Sequence, residues 1–254
     1  MSDVTMSELE LYLDLRSQPC RSVYLFAKAN NIPFVHHEIR LFQGDHLTEE
    51  FKQVNPLHKV PVLRDGDFTL VESTAMLRYL VQKYNTPDHW YPSDLQKRAR
   101  VDEYLAWQHT NTRPHGCRVF WVKFMTPVIM DYEAAPEKLD GILAEFRDII
   151  TQLEEKFLQE KLFLTGDEIS LADLVAIVEI MQVFASGVPI FEERPKLDAW
   201  KKRIEDAVGS ELFREAHEDI LKIKEQQRNL LTPEAKEQYR SRLFLFTNSG
   251  MWLC

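Results

Sequence analysis

Apolar and polar positions alternate from Glu8 to Asp14. Leu9, Leu11, Leu13 and Leu15 fall on one side, Glu8, Glu10, Tyr12 and Asp14 on the other. A period of two predicts a strand with one buried face. Ser17-Gln18-Pro19 follows, then Val23, Phe26 and Ala27 at helical spacing. Ser17 suits a helix N-cap and Pro19 the first turn. Phe34 to Ile39 reads as a second strand. Two strands joined by a helix form a βαβ unit, which predicts parallel pairing and a right-handed crossover. Residues 40–47 read as a loop, and Thr48 to Val54 as a short helix ended by Asn55-Pro56. Val60 to Leu63 and Phe68 to Val71 form a hairpin about the turn signal Asp65-Gly66-Asp67. Ser73 to Tyr84 carries Leu77, Leu80, Val81 and Tyr84 on one side, a helix. The order β-α-β-α-β-β-α over residues 1–84 predicts a compact α/β domain.

Asn85 to Asp94 is rich in turn formers and reads as a linker over 85–94. Beyond it the pattern predicts helices only, so 95–254 is expected to be all-α. Leu95 to Met125 is helical, with a break expected at Thr112-Arg113-Pro114-His115-Gly116. Pro136 to Lys161 keeps a period of about 3.6 through Leu139, Ile142, Phe146, Ile149, Leu153 and Phe157. Ser170-Leu171-Ala172-Asp173 has the form of a capping box. The helix it opens, to about Val183, is apolar nearly all round apart from Asp173, Glu179 and Gln182, and belongs at the centre of a bundle. Pro195 to Val208 and Ser210 to Gln227 predict two more helices. Leu230 to Cys254 is mixed in pattern and is assigned to no element.

Composition narrows the classes. The chain has 254 residues, 44% apolar and 28% charged, ordinary for a water-soluble globular protein. No run approaches the roughly 20 apolar residues of a membrane helix. The opening MSDVTMSELE is acidic and polar, unlike a secretory signal or a basic transit peptide. Cys20, Cys117 and Cys254 are few, odd in number and without metal spacing, so a reducing compartment and no metal are expected. Residues 1–85 hold 9 Lys/Arg against 11 Asp/Glu, and the remainder 22 against 29. Neither part has a basic stripe, which argues against nucleic acid and leaves room for a local positive pocket.

The densest chemistry lies in Asn55 to Ser73, NPLHKVPVLRDGDFTLVES. A proline opening a strand cannot donate to a ladder. With Val60-Pro61 cis, the Val60 N–H and C=O turn outward and can pair with another extended backbone. Glu72 and Ser73 stand where the next helix leaves its first N–H groups free. The stretch reads equally as a cradle for a small peptide or as an ordinary hairpin followed by a capped helix.

An α/β domain of this order, with V-P before the hairpin and E-S after it, joined to a helical domain with a central capped helix, resembles the cytosolic glutathione transferases. Those proteins combine a thioredoxin-like N-terminal domain with an all-α helical C-terminal domain. LELYLDLRSQPCRSVYLFAK, QVNPLHKVPVL, DGDFTLVES, ARVDEYLAWQHT and FLTGDEISLADLVA are similar to the theta class, and within it to the theta-1 type. The resemblance runs from about Leu9 to Lys222. Residues 1–8 and the ending SRLFLFTNSGMWLC depart from it.

The resemblance implies roles for single residues. Ser17 matches the catalytic serine. His46 and Lys59 match positions binding the glycine carboxylate of glutathione. Val60 matches the backbone partner of the cysteinyl residue, with Pro61 the cis proline. Glu72 and Ser73 match the pair holding the γ-glutamyl end. Arg113, Trp121 and Arg240 match positions of an electrophile pocket between the domains. The implied partners are reduced glutathione as co-substrate, with no further cofactor, and small electrophiles such as alkyl halides and epoxides. The implied assembly is a cytosolic homodimer joined by the helices starting near Ser73 and Leu95.

The chemistry of Ser17 is consistent with that role. A thiol of pKa about 8.5 is mostly protonated at neutral pH. A hydroxyl donating to the thiolate favours the charged form. Ser17 could equally be a plain N-cap, Arg113 a surface charge and Trp121 a core residue. Ser17-Gln18-Pro19-Cys20 stands where thioredoxin-like proteins carry C-x-x-C, and a serine at its first position removes dithiol chemistry. The alternative to an enzyme is a non-catalytic glutathione or hydrophobic-ligand binding protein of the same fold.

Overall fold

The structure, a computed structural model, describes residues 8–227 and 230–249. The extension expected at the N-terminus, the last residues of the atypical ending and Cys254 lie outside them.

Strands β1 (Leu9–Leu13), β2 (Val35–Glu38), β3 (Val62–Asp65) and β4 (Phe68–Leu70) form one sheet in the order β2-β1-β3-β4. β1 runs parallel to β2 and antiparallel to β3, and β3 pairs antiparallel with β4. The alternation of β1 determines what lies on each face. Leu9, Leu11 and Leu13 are buried with Val23 and Phe26 of helix α1 (Gln18–Ala29). Helix α2 (Glu49–Val54) lies on the other face, where Phe51 packs with Tyr12 and Val62. Helix α3 (Ser73–Tyr84) buries Leu77 and Leu80 beside α1. The segment read as a loop over 40–47 folds into two 3₁₀ turns, Leu41–Gln43 and Asp45–Leu47. The linker is docked rather than loose: Trp90 is buried, its ring edge-on to Phe26 at 5.4 Å.

The helical domain comprises α4 (Leu95–Trp107), α5 (Thr112–Phe120), α6 (Thr126–Met130), α7 (Pro136–Gln152), α8 (Leu171–Ala185), α9 (Pro195–Val208), α10 (Ser210–Leu221) and α11 (Pro233–Ser249). The break expected at 112–116 falls earlier, at 108–111. Pro114 sits in the first turn of α5, where an absent N–H costs nothing, so it marks a helix start. Wider π-type turns at Trp121–Met125 and Leu153–Leu158 extend α5 and α7. The segment that the pattern left unassigned contains α11. Thr232 caps it, accepting from the Ala235 N–H at 3.1 Å, and Pro233 opens it.

α8 is the buried axis of the domain, with all its residues but Phe184 in the interior. Its first turn is held by Asp173, fully buried. That carboxylate accepts from the N–H groups of Leu164 (2.8 Å) and Ser170 (2.9 Å) and from Trp200 Nε1 (2.9 Å). Gly116 lets α5 lie close, since a Cβ there would meet Val183 at 3.4 Å and Phe146 at 3.5 Å.

His217 of α10 is buried, and its Nδ1–H donates to the Phe213 carbonyl at 2.8 Å. Burial, with Arg21 adding to it, lowers its pKa to about 3. The unfolded chain takes up this proton below about pH 6.5 while the folded chain refuses it until about pH 3. Stability should therefore fall with pH across that window, by up to about 1.4 kcal/mol per unit from this group. Urea unfolding between pH 7 and pH 4 checks this, and His217→Leu should reduce the slope by about one proton. An unchanged slope in a folded His217→Leu protein would remove His217 as the cause.

Candidate active site

The loop between β1 and α1 is fixed before Ser17 is reached. Asp14 is buried, and its carboxylate accepts from the N–H groups of Arg16 (2.8 Å) and Leu41 (2.9 Å). Its carbonyl accepts from the Ser17 N–H at 2.9 Å. Ser17 takes the N-cap position of α1 with extended backbone, φ −88° and ψ 128°, yet its side chain makes no capping bond. The hydroxyl lies in hydrogen-bonding contact with Cys20 and lines a cavity. Burial pushes the Cys20 thiol up to about 12, so this sulfur stays protonated and unreactive.

The 55–60 loop is organised by buried Asn55. Its Nδ2 donates to the Lys59 carbonyl at 2.8 Å, and its Oδ1 accepts from the Leu57 N–H at 3.0 Å. His58, with φ at 54°, donates from Nδ1 to the His46 carbonyl at 2.8 Å and so ties His46 to this loop. Val60-Pro61 is cis, as expected. β3 begins only at Val62, which leaves Val60 outside the ladder. At the next junction Glu72 has φ 71° and ψ 105°, a region that side chains other than glycine rarely occupy. Holding it there costs about 1–3 kcal/mol. The conformation sets Glu72 at the start of α3, beside buried Ser73.

These junctions converge on one cavity of about 410 Å³. Ser17, His46, Lys59, Val60, Pro61, Glu72 and Ser73 all line it. Arg113 and Trp121 close it from the helical domain. Arg113 is mostly buried, and its Nε donates to Glu179 of α8 at 2.9 Å. Burial raises the Glu179 carboxyl, against the pull of Arg113 and Arg21. Arg113 is thus part of a buried pair rather than a surface charge. Trp121 is half-buried and packs on Tyr239 of α11, ring centres 6.0 Å apart.

The structure does not bring Arg240 to the cavity. Its Nε donates to the Ile129 carbonyl at 2.9 Å and an Nη to Asp131 at 2.9 Å, pinning α11 to the end of α6. The neighbouring Tyr239 faces the site instead, its hydroxyl donating to the Leu41 carbonyl at 3.0 Å. Leu41 and Tyr239 are lining residues that the sequence reading missed. The Thr232-Pro233 cap was the legible signal for α11, but the direction of each side chain depends on helix phase. A larger depression of about 640 Å³ lies between α8, α9 and α10 and holds none of the expected residues. Among the described residues no group of His, Cys, Asp and Glu is placed to hold a metal ion.

The arrangement can grip a small zwitterionic peptide. Its lining combines the basic side chains His46 and Lys59, the Glu72 carboxylate, the Ser73 hydroxyl and the Val60 backbone outside the ladder. The Ser17 hydroxyl and the Arg113–Trp121 wall leave room for a second, less polar molecule.

Residues 11–88 match the model of the glutathione S-transferase N-terminal domain, and residues 116–207 that of the C-terminal domain. The mouse glutathione S-transferase theta-1 is 58% identical over 217 residues, covering 85% of this chain and 90% of the mouse protein. The structure of human glutathione S-transferase T1-1 in its apo form superposes with a TM-score of 0.88 at 54% identity, covering 93% of this chain and 98% of that one. A human theta-class transferase in complex with the glutathione conjugate of 1-menaphthyl sulfate gives 0.87 at 46% identity, covering 93% and 97%.

If Arg113 and Glu179 act as one buried pair, removing either partner strands the other. Arg113→Met and Glu179→Met should each cost about 3 kcal/mol in urea unfolding, and the double variant distinctly less than the sum. Additive costs would mean that the two side chains do not support each other.

Proposed function

The chain belongs to the theta class of glutathione S-transferases, and from that membership we propose how its residues divide the work. It is an enzyme that conjugates the thiol of reduced glutathione to electrophiles. The Ser17 hydroxyl donates a hydrogen bond to the glutathione thiolate and keeps its proton. His46 and Lys59 hold the glycine carboxylate, the Val60 backbone pairs with the cysteinyl unit beside Pro61, and Glu72 with Ser73 holds the γ-glutamyl end. Arg113 and Trp121 wall the electrophile. What carries the reading is that Ser17 occupies a cap position without capping, its hydroxyl lying beside the Cys20 thiol at the cavity that all these residues line.

The chemistry follows. Donation to the thiolate stabilises the charged form over the thiol, so the pKa falls and the thiol proton leaves to solvent. The sulfur lone pair then attacks carbon. With an alkyl halide, the C–S bond forms as the carbon–halogen bond breaks and halide leaves with the electron pair. With an epoxide, the C–S bond forms as the ring C–O bond breaks, and the alkoxide takes a proton from solvent. Small alkyl halides and epoxides suit a cavity of this size, much of which glutathione itself fills.

A homodimer in the cytoplasm completes the proposal, with α3 and α4 at the interface. Leu95, at the start of α4, and Phe68, beside Tyr79 of α3, are exposed apolar side chains that such an interface would cover. A binding protein without turnover has less support, because Ser17, Glu72 and Ser73 are all present at the site.

Two measurements test this. Ultraviolet absorbance of the bound thiolate should give a depressed pKa that rises by about 1–2 units in Ser17→Ala, the equivalent of a charge-directed hydrogen bond of about 1.5–3 kcal/mol. An ordinary pKa in both proteins would leave glutathione bound but not activated. Sedimentation at micromolar concentration should give about twice the 29.9 kDa chain mass, and a monomer would refute the dimer.

A further inference from the structure

Arg21 lies one helical turn beyond Ser17 and is completely buried. Burial lowers its pKa to about 10, so the guanidinium remains charged at neutral pH. A buried cation is costly unless its donors find acceptors, and both terminal nitrogens of Arg21 do, though its Nε does not. Nη1 donates to the Leu15 carbonyl at 2.8 Å. Nη2 donates to the Val178 carbonyl at 3.0 Å and to Gln182 Oε1 at 2.7 Å. Leu15 belongs to the loop that delivers Ser17, whereas Val178 and Gln182 belong to α8 of the other domain. The Arg21 N–H also donates to the Ser17 carbonyl at 3.1 Å. One residue therefore grips the loop on both sides of Arg16 and anchors it across the domain boundary.

Ser17 needs such an anchor. Its hydroxyl makes no capping bond to the helix backbone and touches the Cys20 thiol, so its direction depends on the backbone on which it stands as well as on that contact. Asp14 restrains that backbone from the sheet side, through Arg16, Ser17 and Leu41. Arg21 restrains it from the helical side. Arg21 itself does not line the cavity. The charged groups nearest to it, Glu179 and Asp14, are buried as well.

We propose that Arg21 is a positioning residue for Ser17, through which α8 sets the direction of the hydroxyl. The proposal rests on Ser17 being the thiolate's donor. Misplacement of a reacting group by about 1 Å can cost as much as 100-fold in rate. The forked guanidinium matters more than its charge, because three acceptors in two domains must be met at once.

The test compares Gln182→Leu, Arg21→Lys and Arg21→Met with Ser17→Ala, reading the pKa of bound glutathione thiol and the pH profile of kcat/KM with an alkyl halide. Gln182→Leu keeps the buried cation and removes the shorter of its two bonds to α8, leaving the Val178 carbonyl. It should raise the thiol pKa by at least about half a unit, roughly threefold in kcat/KM below pH 7, with the KM for glutathione within about twofold. Arg21→Lys keeps the charge and loses the fork, and should behave like Arg21→Met. A lysine variant matching the wild type would overturn positioning in favour of a field effect. An unshifted thiol in folded Gln182→Leu and Arg21→Lys, with a shifted one in Ser17→Ala, would overturn this inference alone. An unshifted thiol in Ser17→Ala would overturn the reading of Ser17 and this one with it. Near-ultraviolet circular dichroism identifies which variants fold, and Gln182→Leu supplies the readout if the Arg21 variants do not.

Discussion

A helix that is buried on every side can carry a polar side chain only where another element supplies its partner. α8 carries three, Asp173, Glu179 and Gln182, and each fixes a different part of the molecule. Asp173 collects Ser170, Leu164 and Trp200 and joins the start of α8 to α9. Glu179 draws Arg113 out of α5 into the cavity wall. Gln182, with the Val178 carbonyl, draws Arg21 out of α1 and thus holds the loop before Ser17. An unpaired group of this kind costs several kcal/mol, a sizeable part of a domain's total stability of about 5–15 kcal/mol. The same three residues therefore specify how the helical domain packs and how it docks on the α/β domain.

The α/β domain is built the other way about. Its interior is ordinary sheet and helix packing, and its irregular features gather at the cavity. Glu72 and His58 hold positive φ, and Val62 rather than Val60 starts β3. Asp14 is buried with its carboxylate accepting from the backbone N–H groups of Arg16 and Leu41, and the Arg16 guanidinium stands 3.8 Å away. These are places where local preference yields to what the site requires, and the surrounding sheet and helices hold them in place.

Much of this was legible in the chain. The alternation of Leu9 to Leu15, the βαβ spacing and the capping box carry the architecture, the Val60-Pro61 and Glu72-Ser73 dipeptides point to four lining residues, and the family resemblance adds Ser17, His46, Lys59, Arg113 and Trp121. The errors share a cause. Pro114 was read as a breaker because proline is hostile to helix interiors, but in a first turn it is welcome, and only the position of the preceding break separates the two. Arg240 was assigned to the pocket by register. A helix moves the side chain through about 100° per residue, so Tyr239 and Arg240 cannot both face the same site. Ser17 is legible as an N-cap, yet the sequence does not show that its hydroxyl turns from the helix backbone toward the Cys20 thiol and the cavity.

The partnering on α8 was legible only in half. An apolar run interrupted by Asp173, Glu179 and Gln182 announces that partners must exist without naming them, because Arg113 and Arg21 lie 66 and 161 residues from theirs. Such pairs are where function and stability are hardest to separate. The cavity takes Ser17, His46, Lys59, Val60, Pro61, Glu72 and Ser73 from one domain and Arg113 and Trp121 from the other. In the proposed role, the Ser17 hydroxyl between them must be placed relative to both. Sheet hydrogen bonds alone would place Ser17 relative to the first domain only. The guanidinium of Arg21 supplies the second reference, so the angle between the domains and the aim of the hydroxyl are a single structural variable.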